Sequence, residues 1–118
     1  MPTDLPELTR RQAERVLGAY CEARIPASAR DQVRLTVGVR GATVTLYEER
    51  VPWSGLHRTE WTRTGVAQFR YDEQQLLWTL YWPDRDERWH RFEEAPPSAA
   101  IDDLLRVVED DPTAIFWG

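Results

Sequence analysis

Apolar and polar positions alternate along most of this 118-residue chain, and the period of the alternation changes at its two ends. Between residues 8 and 24, Ala13, Val16, Leu17, Tyr20 and Arg24 recur at three- and four-residue steps, which predicts a helix with one buried face. Thr9 can cap it, or it can begin nearer Pro6. Ile25-Pro26 ends it, because the residue before a proline avoids helical angles. The period then drops to two. Val33, Leu35, Val37 and Val39 alternate with Arg34, Thr36, Gly38 and Arg40, the pattern of a half-buried strand. Arg40-Gly41 supplies the turn, glycine tolerating a positive φ. The return strand covers residues 43–50, with Val44 and Leu46 inward and Thr43, Thr45 and Tyr47 outward, and Pro52 stops it.

Residues 52–65 show no clear period and read as a loop, the kind of segment where function concentrates. Alternation resumes in strands at 66–72, 76–82 and 88–92, separated by turns at 72–75 and 83–86. This block holds Phe69, Tyr71, Trp78, Tyr81, Trp82, Trp89 and Phe92 and predicts an aromatic core. After Pro96-Pro97, Ser98 is placed to cap a second helix that buries Ile101, Leu104, Leu105 and Val108. Glu109, Asp110 and Asp111 then set negative charge where the helix macrodipole prefers positive. Asp111 as N-cap and Pro112 as first residue of a short terminal helical turn would resolve this, with nearby Arg or water answering the other acids. Ile115, Phe116 and Trp117 are too apolar to stay wet, so the tail is expected to dock on the core or on a second subunit. The order predicts one α+β domain: an N-terminal helix, a five-stranded antiparallel meander sheet, a C-terminal helix and a short terminal helical turn.

Composition narrows the classes. A hydrophobic content of 42% with six tryptophans argues for a packed core and against disorder. A chain of this size needs no disulfide or metal to fold. Cys21, alone, cannot form an internal disulfide, which fits a reducing compartment. Neither a signal-peptide pattern nor an apolar run of membrane-spanning length is present, so the expected setting is cytoplasmic with no membrane partner. The net charge of −5 disfavours sequence-independent nucleic-acid binding. All 15 basic residues are arginine, which reflects either a GC-rich genome or planar, bidentate recognition if they cluster on one face.

No catalytic motif emerges. His57, His90 and Cys21 have no close-spaced ligand pair, so no metal and no cofactor are expected. His90 beside Glu93 and Glu94 could form an acid/base pair, while Glu48 and Glu49 point to opposite faces and cannot form a dyad. Arg24 stands out on the apolar face of the first helix. Either its stem packs and its head reaches water, or it fixes a carboxylate, internal or on a ligand. The outward strand positions offer Arg34, Thr36, Thr45, Tyr47, Gln68, Arg70 and Tyr81, a mixture of residues enriched at interfaces.

Several blocks occur together in one order: Tyr20-Cys21-Glu22-Ala23-Arg24-Ile25-Pro26, Ala67-Gln68-Phe69-Arg70-Tyr71-Asp72, Trp78-Thr79-Leu80-Tyr81-Trp82-Pro83-Asp84-Arg85, Arg88-Trp89-His90-Arg91, and Asp111-Pro112-Thr113-Ala114-Ile115-Phe116-Trp117-Gly118. Over nearly the whole chain they resemble a small bacterial family known as domain of unknown function 3024. The resemblance implies a free-standing bacterial protein of the kind frequent in high-GC actinobacteria, and it implies glycine where this chain has Ala114. It brings no activity, cofactor or catalytic residue.

The expected function is a non-enzymatic binding or assembly module, with a homodimer or another protein as partner. Arg24, Arg34, Tyr47, His57, Arg70, Tyr81 and His90 are its candidate contact residues. One alternative is a small enzyme beneath residues 52–65, with His57 or His90 as base, Glu93 or Glu94 as orienting acid and Arg70 or Arg24 as anion clamp. The other is a single-stranded nucleic-acid binder that uses the strand face.

Overall fold

The computed structural model describes residues 4–52 and 61–118. Helix α1 spans Glu7–Arg24. Thr9 does not cap it: the N-cap is Pro6, which bonds no side chain to the helix. Glu7 in the first turn and the pairs Arg11–Glu7 (2.8 Å) and Arg10–Glu14 (2.6 Å) support the exposed side instead. Ala13 and Leu17 are fully buried, and the helix stops before Pro26 as expected. A single 3-10 turn, Ala27–Ala29, leads into the sheet.

Strands β1 (Val33–Arg40), β2 (Thr43–Arg50), β3 (Thr62–Asp72), β4 (Leu77–Pro83) and β5 (Trp89–Arg91) form one antiparallel sheet in chain order. Gly41, at φ 57°, makes the two-residue β1–β2 connection. β4 ends one residue later than expected, at Pro83, β5 narrows to Trp89–Arg91, and two strand starts differ for a visible reason. β3 begins at Thr62, so residues 62–65 belong to the sheet and not to a loop. A bulge explains the lost period: Leu46 pairs with Ala67 but Tyr47 with Gly65, which leaves Val66 as the extra residue. β4 begins one residue late, because Leu76 sits in the turn at φ 58°. Asp72 Oδ1 shapes that turn by accepting the N–H groups of Gln74 and Gln75.

Helix α2 spans Ile101–Asp110 and buries Ile101, Leu104, Leu105 and Val108, the four expected residues. Ser98 acts upstream of its predicted capping position. Its backbone pairs with Trp78, its Oγ accepts the N–H of Ala100 and donates to Asp103, and Ala100 is the N-cap. Asp111 is not an N-cap but the left-handed C-cap of α2, at φ 44°. Its carboxylate still organises the tail, accepting the N–H groups of Phe116 (3.0 Å), Trp117 (2.8 Å) and Gly118 (3.2 Å). The terminal turn is closed by Ala114 N–H donating to the Asp111 carbonyl. Burial opposes ionisation of Asp111, but those backbone donors outweigh it and hold its pKa below the usual carboxylate range.

Both helices cover one face of the sheet. Val44, Leu46, Phe69 and Leu80 are fully buried there, joined by Trp78 and Phe92 and by Ala13, Leu17 and the apolar stripe of α2 in one cluster. The tail docks on this core: Phe116 is buried with its ring 5.2 Å from that of Phe92. The aromatic block splits between the faces. Alternation through Phe69↔Leu80 and Gln68↔Tyr81 sends Phe69, Trp78, Trp82 and Phe92 toward the helices, but Tyr81 and Trp89 to the other side.

Candidate functional site

The register decides which arginines meet. Arg34 pairs with Glu49, and Glu49 with Arg63; Thr36 pairs with Tyr47, and Tyr47 with Gly65; Gly38 pairs with Thr45, and Thr45 with Gln68. Gln68 lies opposite Tyr81, Tyr81 opposite Arg91, and Arg70 between Thr43 and Thr79. These residues all project from the face that the helices leave open. The outward positions read from the sequence therefore form one surface.

On that surface three of the aromatic rings, Tyr47, Trp61 and Tyr81, carry a guanidinium. Arg63 lies 3.6 Å from the centroid of Tyr47, Arg70 3.8 Å from that of Tyr81, and Arg34 4.0 Å from that of Trp61. Glycines make the tiling possible. A Cβ on Gly38 would stand 3.0 Å from Tyr47 Cε2, and one on Gly65 2.8 Å from Trp89 Cζ2. Tyr47 and Trp89 thus lie down on the sheet because these two positions carry no side chain.

Polar groups beneath the tiles are satisfied internally. Arg34 Nε and the Thr36 hydroxyl donate to the two oxygens of Glu49 at 2.8 and 2.9 Å, and Arg63 stands 3.6 Å away. Burial would raise the Glu49 pKa, but these donors and charges overcome it and leave it lowered. Arg70 Nε donates to Gln68 Oε1 at 2.8 Å, and Gln68 Nε2 donates to Thr45 Oγ1 at 3.1 Å. Thr45 and Gln68 are buried although no helix covers them, so the arginine stems and rings make the lid.

The face is basic on an acidic protein. Register places Arg34, Arg40, Arg63, Arg70 and Arg91 on it against Glu49 and Asp72, whereas the chain carries −5. At its β5 end opens a cleft of about 610 Å³. Tyr47, Arg63 and Gly65 form one side, Trp89 the floor, and the hairpin from Pro83 to Glu87 the other side.

The remaining sequence candidates lie elsewhere. His57 falls outside the described residues. His90 projects toward the helix side, stacked on Trp82 at 4.8 Å, and its Nε2 is 2.7 Å from Asp84 Oδ2. Its partner is therefore Asp84, not Glu93 or Glu94. That contact, with the N–H groups of Arg88 and Asp86, lowers the Asp84 pKa to about 2. Arg24 stands where the two helices meet the tail. Its Nη1 donates to both oxygens of Glu109 at 3.0 Å, and its guanidinium lies 3.8 Å from the Trp117 centroid. Of the two readings of Arg24, the internal carboxylate is the one realised. The Tyr20 hydroxyl donates to the same Glu109; burial first, and then this bond, push the phenol well above its ordinary range. The buried indole N–H of Trp117 lies beside Tyr20 but has no hydrogen-bond partner among the described residues. Cys21 is half-buried, and burial raises its thiol to about 11, which leaves it a poor nucleophile.

Sequence reasoning missed Trp61, Arg63, Gly65 and Trp89 as members of the face. Counting alternation back from Phe69 fails at the bulge, which returns Arg63 and Gly65 to the outward side. Trp89 could have been found by parity with Arg91. Among the described residues no cluster of His, Cys, Asp or Glu could hold a metal ion, and no helix is long and apolar enough to cross a membrane. No curated protein and no solved structure matches the chain. The profile of one family, Domain of unknown function (DUF3024), matches residues 5–118. That span takes in the helices, the tiled sheet and the clamped tail alike, and the chain belongs to the DUF3024 family.

Proposed function

We propose that this protein is a binding or assembly module rather than an enzyme, and that the open face of its sheet is the working surface. The observation that carries this is the row of guanidinium-on-ring stacks at Arg34, Arg63 and Arg70 on a face that neither helix covers. Arginine, tyrosine and tryptophan are the residues that most often anchor interfaces, because each combines a large contact area with a directed polar group. Half of the Arg34 and Arg63 side chains is exposed, so their outer planes are available to a partner. The reading carries with it a cytoplasmic, bacterial setting.

The enzyme alternative has less support. Arg70 belongs to the open face and His90 to the opposite one, while Arg24 is engaged by Glu109 at the helix corner. Groups that act on one substrate atom must converge within hydrogen-bond reach of it. Native mass spectrometry of untagged protein tests the binding reading. A dimer or a retained mass is expected, and it should vanish in an R34S/R63S/R70S variant. A bare monomer at every concentration, identical to that variant, would overturn the reading.

A further inference from the structure

We infer that the open face takes a single-stranded nucleic acid, an inference that rests on reading this face as a binding surface. Three properties of the face narrow its ligand. The first is charge. The chain is acidic overall, yet among the described strand positions of this face five arginines meet two carboxylates, Glu49, held by Arg34 and Thr36, and Asp72, held by its own turn. Net charge governs long-range steering, whereas contact is governed by the local face. The expectation drawn from the charge of −5 therefore does not apply to this surface.

The second is planarity. Each guanidinium carbon lies 3.6–4.0 Å from a ring centroid, and half of the Arg34 and Arg63 side chains stays exposed, which leaves guanidinium surface open to a ligand. A guanidinium plane is a stacking platform for a nucleobase, and its edge donates to phosphate oxygens. Trp89, packed against Gly65 beside the Arg63–Tyr47 pair, adds an aromatic ring to the lining of the cleft. An acidic peptide would satisfy the charge but leave the platforms unused. A duplex would satisfy the charge too, but it keeps its bases stacked inside.

The third is reach. Arg34 and Arg63 are two strands apart, about 10 Å at ordinary strand spacing, and Arg63 to Arg70 runs along β3 for about 20 Å. This suits an extended strand at the short end of the roughly 4–16 nucleotides that single-strand binders of this kind occupy. On the far wall of the cleft Asp84, Asp86 and Glu87 outnumber Arg85 and so disfavour phosphate, which steers a base rather than the backbone into it.

The test uses the full chain and fluorescein-labelled oligo-U and oligo-dT of roughly 12 nucleotides, followed by anisotropy and tryptophan emission. Saturable binding with quenching is expected at about 50 mM salt. At about 300 mM it should weaken about 40-fold, if three phosphates are neutralised with a slope of about −0.7 each. R34S/R63S/R70S should abolish binding, and R34K/R63K/R70K, which keeps charge but loses the plane, should still lose about tenfold or more. R10S/R11S, on the far side of the molecule, should bind as wild type, with circular dichroism confirming that all variants fold. Full affinity in the lysine variant, or salt-independent binding, would overturn the inference. So would poly-glutamate binding as tightly as the oligonucleotides, although the face would then stand as a binding surface for acidic protein. If no oligonucleotide binds, the nucleic acid is excluded, while the dimer or retained mass sought by native mass spectrometry separately decides whether the face binds anything.

Discussion

The two faces of this sheet are built by the same five strands, yet they are closed by different physics. On the helix side, Val44, Leu46, Phe69 and Leu80 are removed from water by α1 and α2, and the gain is the ordinary one of apolar burial. On the open side the described residues provide no second layer. Thr45 and Gln68 are buried nonetheless, Gln68 bonded to Arg70 and to Thr45 beside the Arg70–Tyr81 stack. Each exposed guanidinium–ring stack is worth only about 0.5–1 kcal/mol, against about 1.5–3 for a fully buried aliphatic or aromatic side chain. One face therefore holds the fold, and the other is lightly held, as the proposed exchange of its contacts for those of a ligand requires.

The sharpest way to break this comparison is to truncate one residue on each face. Phe69→Ala should destabilise by about 3–5 kcal/mol, since a fully buried ring leaves a cavity. Urea titration reads this as a lower midpoint with little change of slope. Next in size is the clamp that fastens the tail to the helix side. Asp111→Ala strips the acceptor from three backbone N–H groups and should cost about 2 kcal/mol. Early hydrogen exchange at Phe116 and Trp117 would confirm that the tail, and not the sheet, has loosened.

On the open face, Arg70→Ala should cost only about 1 kcal/mol of stability while weakening ligand binding far more. A loss as large as that of Phe69→Ala would erase the distinction between the faces. Ala114→Gly should stabilise by about 0.5–1 kcal/mol, because Ala114 holds φ 59°, where glycine avoids a steric penalty. Thermal denaturation checks the sign.

The most gradual effect is with pH. Glu49, Asp84 and Asp111 all have lowered pKa values when folded. Below the ordinary carboxylate range the unfolded chain binds more protons, so their contribution is present above about pH 4. It should fade as pH drops toward about 2, the value for Asp84. A urea midpoint that does not move over that window would show the three contacts to be energetically idle. Asp84→Asn should flatten the lowest part of the curve.

Much of the fold was legible in the chain because its periods are clean. The three-to-four spacing of Ala13, Leu17 and Tyr20, the alternation of Val33 to Val39, and the stripe Ile101, Leu104, Leu105 and Val108 each follow from a single element burying a single face. Glu48 and Glu49 were assigned to opposite faces for the same reason, and they bond Arg50 and Arg34 respectively. The site was half legible. Arg34, Tyr47, Arg70 and Tyr81 share the open face as alternation implies, whereas His90 and Arg24 proved to be held by Asp84 and Glu109.

By itself, then, the sequence determined the order of elements, the inward residues of both helices and of β1 and β2, and the family. Those depend on local periods and on blocks of neighbouring residues. Only the tertiary structure decided which arginine rests on which ring, that a bulge at Val66 returns Arg63 and Gly65 to the open side, and that Asp111 gathers the tail. Such pairings depend on strand register and on contacts between residues far apart in the chain, 89 positions in the case of Tyr20 and Glu109, and no local pattern encodes them.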